Sequence, residues 1–189
     1  MRRFLWWSSA VLVGVLLGLG SAVVGLRRGM AAAAVQNGAW QTNLDAGSPD
    51  AGMYLRARVA LGGLLALNRD ETIYYRADRD ESGRRFDGSC DVVVEGVDPA
   101  ARWWSITAYA ADNYLIPNDQ QRYSFSQSSV QRAADGHFQL TASPRRQEGN
   151  WLPVAAAPFD LTLRLYNPAP QVEANPSGVA LPHIRQVCP

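Results

Sequence analysis

The 189-residue sequence contains no lysine: all 18 of its Lys-plus-Arg positions are arginine, which reads as coding bias and carries no mechanism. A basic cluster is also missing. Arg2, Arg3, Arg27 and Arg28 lie ahead of residue 31, whereas all 17 acidic residues follow it, so the remainder has 14 Arg and a net charge near −3. Nucleic acid, which requires clustered positive charge, is not an expected partner. Histidine is as scarce, and a Ser-His-acid triad needs one as its general base. His137 follows the turn dipeptide Asp135-Gly136 and His183 lies in a Pro-rich tail, where structural or solvent-facing roles are the expected ones. No GxSxG elbow, HExxH, P-loop or GxGxxG is present. Cys90 and Cys188 lie far from CxxC spacing, so neither a metal nor a cofactor is expected. A disulfide between them would tie the C-terminal tail to the β core and contribute about 3–4 kcal/mol. Two separate thiols remain equally open, because sequence does not give the Cα separation.

Charge is absent from one long stretch as well. From Phe4 to Leu26 the chain reads FLWWSSAVLVGVLLGLGSAVVGL, and roughly 20 apolar residues suffice to cross the hydrocarbon core as a helix. Arg pairs flank the run, and Trp6 and Trp7 suit the headgroup level. The run is longer than the h-region of a cleaved signal peptide, and Arg27-Arg28 intervene before the small residues AAAAVQ, so residues 1–28 read as an uncleaved anchor contacting lipid through residues 4–26. Arg2-Arg3 lacks the spacer of a twin-arginine signal. Gly14 and Gly18 form a GxxxG, a spacing also common in ordinary spanning helices. Two Arg on each side leave the positive-inside count tied, and the short N-terminal tail makes an exported C-terminal domain the default topology. The expected location is the bacterial inner membrane, single-pass, with that domain in the periplasm.

Residues 29–47 read as a linker ending at the docking point Gly38-Ala39-Trp40, and residues 48–189 as one domain. Ser48-Pro49-Asp50 predicts a helix start, and Leu55, Val59, Gly62, Gly63 and Ala66 predict a face packed on a sheet. Six β-rich runs follow, at Thr72–Arg76, Asp91–Glu95, Trp103–Tyr109, Tyr123–Phe125, His137–Thr141 and Phe159–Tyr166. In the last, Phe159, Leu161, Leu163 and Leu165 alternate with Asp160, Thr162, Arg164 and Tyr166, predicting one face in and one face out. Asp135-Gly136 and Asp87-Gly88 are turn dipeptides. Pro168–Pro189 reads as an extended strap. The fold class is mainly β, an antiparallel β-sandwich with one packed N-terminal helix behind a single transmembrane helix.

The segments WWSITAY (Trp103–Tyr109), Asn118 with RYSF (Arg122–Phe125), DGHFQL (Asp135–Leu140), NWLP (Asn150–Pro153) and FDLTLRLYNP (Phe159–Pro168) resemble, in order and spacing, the bacterial domain-of-unknown-function family 1214. NGAW (Asn37–Trp40), YLRARVALGGLLAL (Tyr54–Leu67) and ETIYYRAD (Glu71–Asp78) are similar to the N-terminal half of its short, membrane-anchored version. The resemblance covers nearly all the chain after residue 36. It implies a jelly-roll-like sandwich, often found behind a second domain, family 1254, whose pattern these residues do not show. Where the family has FWS this chain has Trp103-Trp104-Ser105, a conservative change. The family has no agreed activity, so no catalytic residue carries over.

Glu71, Asp91, Glu95 and Asp160 are weighed as paired carboxylates of a glycosidase, but solvent-facing acids are the normal outer face of an antiparallel strand. Aromatics are the more suggestive set: Tyr74, Tyr75, Trp103, Trp104, Tyr109, Tyr114, Tyr123, Trp151 and Tyr166. Trp103 and Trp104 must point to opposite faces of a strand, one buried and one on the other surface. Trp104, Tyr109, Arg122, Asn150, Trp151 and Arg164 are the candidate ligand-binding residues. The function expected is an envelope binding or interaction domain for a partner protein or a small apolar or sugar-like ligand. The alternative is an envelope hydrolase for a carbohydrate or lipid-like substrate, with a pocket of Arg122, Arg164, Asn150 and neighbouring acids. A third reading is a subunit of an envelope assembly held through the spanning helix.

Overall fold

The computed structural model describes residues 2–28, 34–61 and 65–188. Gly62-Gly63 and the first three residues of the AAAAVQ tract fall outside them. The uncharged run forms one helix, α1 (Arg2–Arg28). Its stretch Trp6–Gly25 has a mean hydropathy of 2.0 and no part buried against the rest of the protein. It is long and apolar enough to span a membrane.

Two sheets build the domain. The six-stranded sheet runs β1 (Val35–Asn37), β2 (Trp40–Thr42), β3 (Thr72–Ala77), β9 (Phe159–Pro168), β5 (Ala101–Ala110), β6 (Ser124–Ser126). The four-stranded sheet runs β10 (His183–Val187), β4 (Asp91–Gly96), β7 (Phe138–Ser143), β8 (Asn150–Pro153). All pairings are antiparallel except β7 with β8, which is parallel because residues 144–149 return the chain to the start of β7. Alternation fills the space between the sheets. Ile73, Tyr75, Trp104, Ile106, Leu161, Leu163 and Leu165 from the larger sheet meet Val92, Val94, Phe138, Leu140, Leu152 and Ile184 from the smaller in one buried cluster. Trp104 stacks on Phe138 with centroids 4.9 Å apart. Tyr75 donates to the Pro176 carbonyl at 3.0 Å, and burial pushes its phenol up to about 12.

The six expected β-rich runs are all strands. Five readings change. The segment read as a linker contains β1 and β2: Trp40 is 1% exposed, its indole Nε1 donates to the Pro182 carbonyl at 2.7 Å, and Asn37 donates to the Val179 carbonyl. The Pro-rich strap holds a short helix, α3 (Pro170–Ala174), and β10, which pairs with Asp91 to Glu95 of β4. Ser48-Pro49-Asp50 makes a turn, with Ser48 Oγ accepting from the Asp50 amide, and the helix α2 (Met53–Leu61) starts only after Gly52. No residue of α2 is buried, so the helix does not pack a face on the sheet; it lies beside α1. Finally, Asp160 and Thr162 of β9, expected on an open face, are buried at 3% and 8% exposure by the larger side chains around them.

Cys90, at the start of β4, and Cys188, at the end of β10, are joined, with Cα atoms 4.4 Å apart. The bond fastens the edge strand of the smaller sheet at one end. Asp80 fastens it from the side, accepting from the Gln186 amide, the Ser82 hydroxyl and the Arg84 backbone N–H.

Candidate functional site

The site builds from the outer face of the six-stranded sheet, where register lines up β3, β9 and β5. Tyr74 lies opposite Arg164, and Arg164 opposite Ser105; Arg76 lies opposite Thr162, and Thr162 opposite Thr107; Asp160 lies opposite Tyr109. Period-two alternation that sends Leu161, Leu163 and Leu165 inward sends these residues outward.

Arg164 sits at the centre, held rather than free. Its Nη1 donates to Thr107 Oγ1 at 3.1 Å and its Nη2 to the Tyr109 hydroxyl at 2.6 Å. Its guanidinium lies 5.5 Å from the Tyr109 ring centroid and 6.0 Å from that of Tyr74, within cation–π range. Among the described residues it has no carboxylate partner. A guanidinium has five N–H donors, and the two hydrogen bonds leave three for water or a ligand. Trp103, 36% exposed, packs on Tyr166 at 5.1 Å and extends the aromatic surface by one register step.

Below it, Arg76 Nη2 reaches Asp160 Oδ2 at 2.6 Å and Asn113 Oδ1 at 3.3 Å. Burial pushes the Asp160 carboxyl above the ordinary aspartate range, and Arg76 offsets only part of that rise. Two loops border the face. The Leu67 backbone N–H donates to the Tyr74 hydroxyl, and Asn113, in the left-handed region at φ 67°, lies in the loop after β5. The result is a fixed cation among aromatic rings, with hydroxyls and a buried carboxyl beside it.

Of the six residues expected to bind ligand, only Tyr109 and Arg164 meet here. Trp104 is a core residue at 0% exposure, its indole donating to Asp98 Oδ1 at 3.2 Å; Trp103 is the member of the pair on the outer surface. Asn150 is saturated, accepting from the Gln131 amide and donating to the Gln131 and Gln139 carbonyls. Arg122 donates to the Trp151 carbonyl and covers the Phe125 ring, and the Trp151 indole donates to the Ser143 carbonyl. These last three close the edge of the sandwich between β6 and β8. The hydrolase pocket expected from Arg122, Arg164 and Asn150 is therefore not assembled by the fold. The acids are dispersed too: Asp91 pairs with Arg145 and Glu95 with Arg185 on β4, whereas Asp160 pairs with Arg76 on the other sheet.

A shallow cleft on the smaller sheet is lined by His137, His183, Glu95, Glu148 and Arg132. His183 Nδ1 lies 2.7 Å from Glu81 Oε1, and the His137 backbone N–H completes the turn at Asp135. Among the described residues no group of three or more His, Cys, Asp or Glu is placed to hold a metal ion.

Sequence reasoning missed Arg76, Thr107 and Asn113 as parts of the face. The signal available was parity: Thr107 shares a face with Tyr109 on β5, as Arg76 does with Tyr74 on β3.

No curated protein matches the chain. Among solved structures it is similar to the VPA0106 protein from Vibrio parahaemolyticus, with 29% identity and a TM-score of 0.59 over 73% of this chain. A putative uncharacterized protein from Burkholderia cenocepacia aligns at 16% identity and a TM-score of 0.44 over 62% of this chain. The chain spans 36% of the Vibrio protein's length and 29% of the Burkholderia protein's. Residues 71–170, which carry β3 to β9 and with them the whole Arg164 face, match the model of the family described as protein of unknown function DUF1214, and the chain belongs to that family.

Proposed function

We propose that this chain is a single-pass, membrane-tethered envelope protein whose β-sandwich lies outside the cytoplasm and binds a carbohydrate-like ligand bearing an acidic group. The observation that carries the ligand assignment is Arg164. It is a cation with no carboxylate partner among the described residues, fixed by Thr107 and Tyr109 and flanked by the rings of Tyr74 and Tyr109. Sugar rings present C–H faces to aromatic side chains and hydroxyls to fixed donors, and a carboxylate is the natural partner of a guanidinium. Tethering is supported by a helix whose Trp6–Gly25 stretch is uncharged and has no buried residue. Export is supported by the Cys90–Cys188 bond, since disulfides persist in oxidising compartments.

The test is a titration of the full chain in detergent micelles with oligosaccharides that contain uronic acid and with their neutral counterparts, read by heat and by indole and tyrosine fluorescence. The acidic oligosaccharides are expected to bind more tightly, and Arg164→Met to abolish the difference. Equal affinity for both sets, or binding untouched by Arg164→Met, would sink the assignment.

A further inference from the structure

The surface formed by α2 and residues 65–67 is apolar and uncovered. Met53 is 76% exposed, Leu61 73% and Leu65 93%, values expected of a surface that faces something other than water. On a helical projection Met53, Ala57, Leu61 and Tyr54 share one side. Leu55 and Val59, on the other side, face the 47–51 turn and Ala66. Arg56 folds back to donate to the Ala51 and Pro49 carbonyls. Arg58 makes no hydrogen bond or ion pair among the described residues, and α2 contains no acidic residue.

The position of α2 names what covers it. Its Tyr54 ring lies against Gly25 so closely that a Cβ there would stand 3.0 Å from the ring edge. Gly25 is the last residue of the apolar stretch Trp6–Gly25. Where that stretch crosses a bilayer, Tyr54 stands at the level at which hydrocarbon gives way to headgroups, the level its amphipathic ring favours. A nine-residue helix is about 14 Å long, so α2 cannot carry Leu61 far from that boundary unless it points straight away from it.

We infer that α2 and residues 65–67 form a membrane-docking surface, with Met53, Leu61 and Leu65 in the headgroup–acyl boundary of the bilayer that holds α1 and Arg58 on lipid phosphate. The apolar side chains lose water contact there, and the unpaired guanidinium gains an anionic partner. This inference rests on the tethering half of the proposed function and not on the ligand half.

The full chain, which has no free thiol among its described residues, is given one cysteine at a time by Leu61→Cys, Leu65→Cys, Leu16→Cys or Asp135→Cys. Each is labelled with an environment-sensitive dye and reconstituted in phosphatidylethanolamine–phosphatidylglycerol vesicles that carry lipids spin-labelled at shallow or deep acyl positions. Labels at 61 and 65 are expected to shift to the blue and to lose emission most to shallow quenchers. A label at 16 should respond to deep quenchers, and one at 135 to neither. Emission at 61 and 65 matching that at 135, with 16 quenched, overturns the docking surface and leaves the tether standing. A blue shift at 61 that lipid quenchers do not touch and that fades as protein is diluted in lipid assigns the face to a second copy, and also overturns it. No quenching at 16 removes the tether and the inference together.

Discussion

At the residue scale, Asp160 is the group whose ionisation the fold resists. It is 3% exposed, and burial raises its pKa although Arg76 lies 2.6 Å away. A raised folded pKa means that the native state holds the proton where the unfolded chain has released it. The associated stability is therefore full below the unfolded value and falls as pH rises through the folded one. Arg76→Gln removes the one ion-pair partner of Asp160 among the described residues. Because Arg76 is half exposed, the loss at neutral pH is set at about 1–3 kcal/mol. The deficit should narrow on acidification to about pH 2, well below the unfolded value of about 3.9, where the carboxyl is neutral in both states. Urea melts of the two proteins between those limits check this, and a deficit independent of pH would contradict it. The tryptophan pair gives a second expectation. Trp104→Ala should cost about 3–5 kcal/mol, because the ring is buried against Phe138. Trp103→Ala should stay within about 1 kcal/mol. Sequence alone showed that one of the two is buried. Parity along β5 decides which: Trp104 shares a face with Ile106 and Ala108, and Trp103 with Ser105 and Thr107, so the placing of Trp104 on the ligand surface fails on a pattern the strand itself carries.

At the element scale, β10 is the strand that depends most on side chains outside its own sheet. One long edge pairs with β4, and Asp80, Arg84 and Cys90 hold the rest. Cys90 and Cys188 are 98 positions apart. On the chain-entropy account a loop of that length is worth about 5 kcal/mol, so replacing both by serine should cost about 4–5 kcal/mol. Amide exchange at Ile184 and Gln186 should accelerate more than exchange at Leu163 in β9; equal acceleration would mean that the bond steadies the whole sandwich rather than its edge. The elements read correctly from sequence share one property. β3, β4, β5, β7 and β9 are each at least six residues long, enough for alternation to repeat; β6 is the exception, three residues centred on Phe125 and marked by the Tyr123–Phe125 aromatics. β1, β2 and β8 have three or four residues, and β10 hides behind prolines, so pairing partners rather than periodicity create them. The α2 reading failed for a different reason. Leu55 and Val59 do face protein, but it is the 47–51 turn and Ala66 rather than a sheet, and helical spacing does not say which element a face meets. Likewise Tyr109 and Arg164 were legible as candidates because they stand in long strands, whereas Arg122, Asn150 and Trp151 fasten the sandwich edge between β6 and β8.

At the scale of the whole molecule, the two-against-two arginine tie leaves direction to default topology, and a fusion resolves it. A C-terminal reporter active only outside the cytoplasm should give high activity on the full chain, and a reporter active only in the cytoplasm should give none. The reverse pattern would put the sandwich in a reducing compartment and remove the setting in which Cys90 and Cys188 stay joined. A chain with Arg3 and Arg2 replaced by glutamine should lower the first activity, because the positive charge that holds the N-terminus inside has gone.

α1 ends at Arg28 and β1 begins at Val35. Seven steps of chain extend to about 25 Å at most, so with α1 in a bilayer the sandwich is on a very short leash. It cannot patrol the width of an envelope or meet a ligand anchored on the opposite wall. On the proposed function, a ligand of Arg164 would be one that reaches the membrane surface, because the tether spans at most about 25 Å.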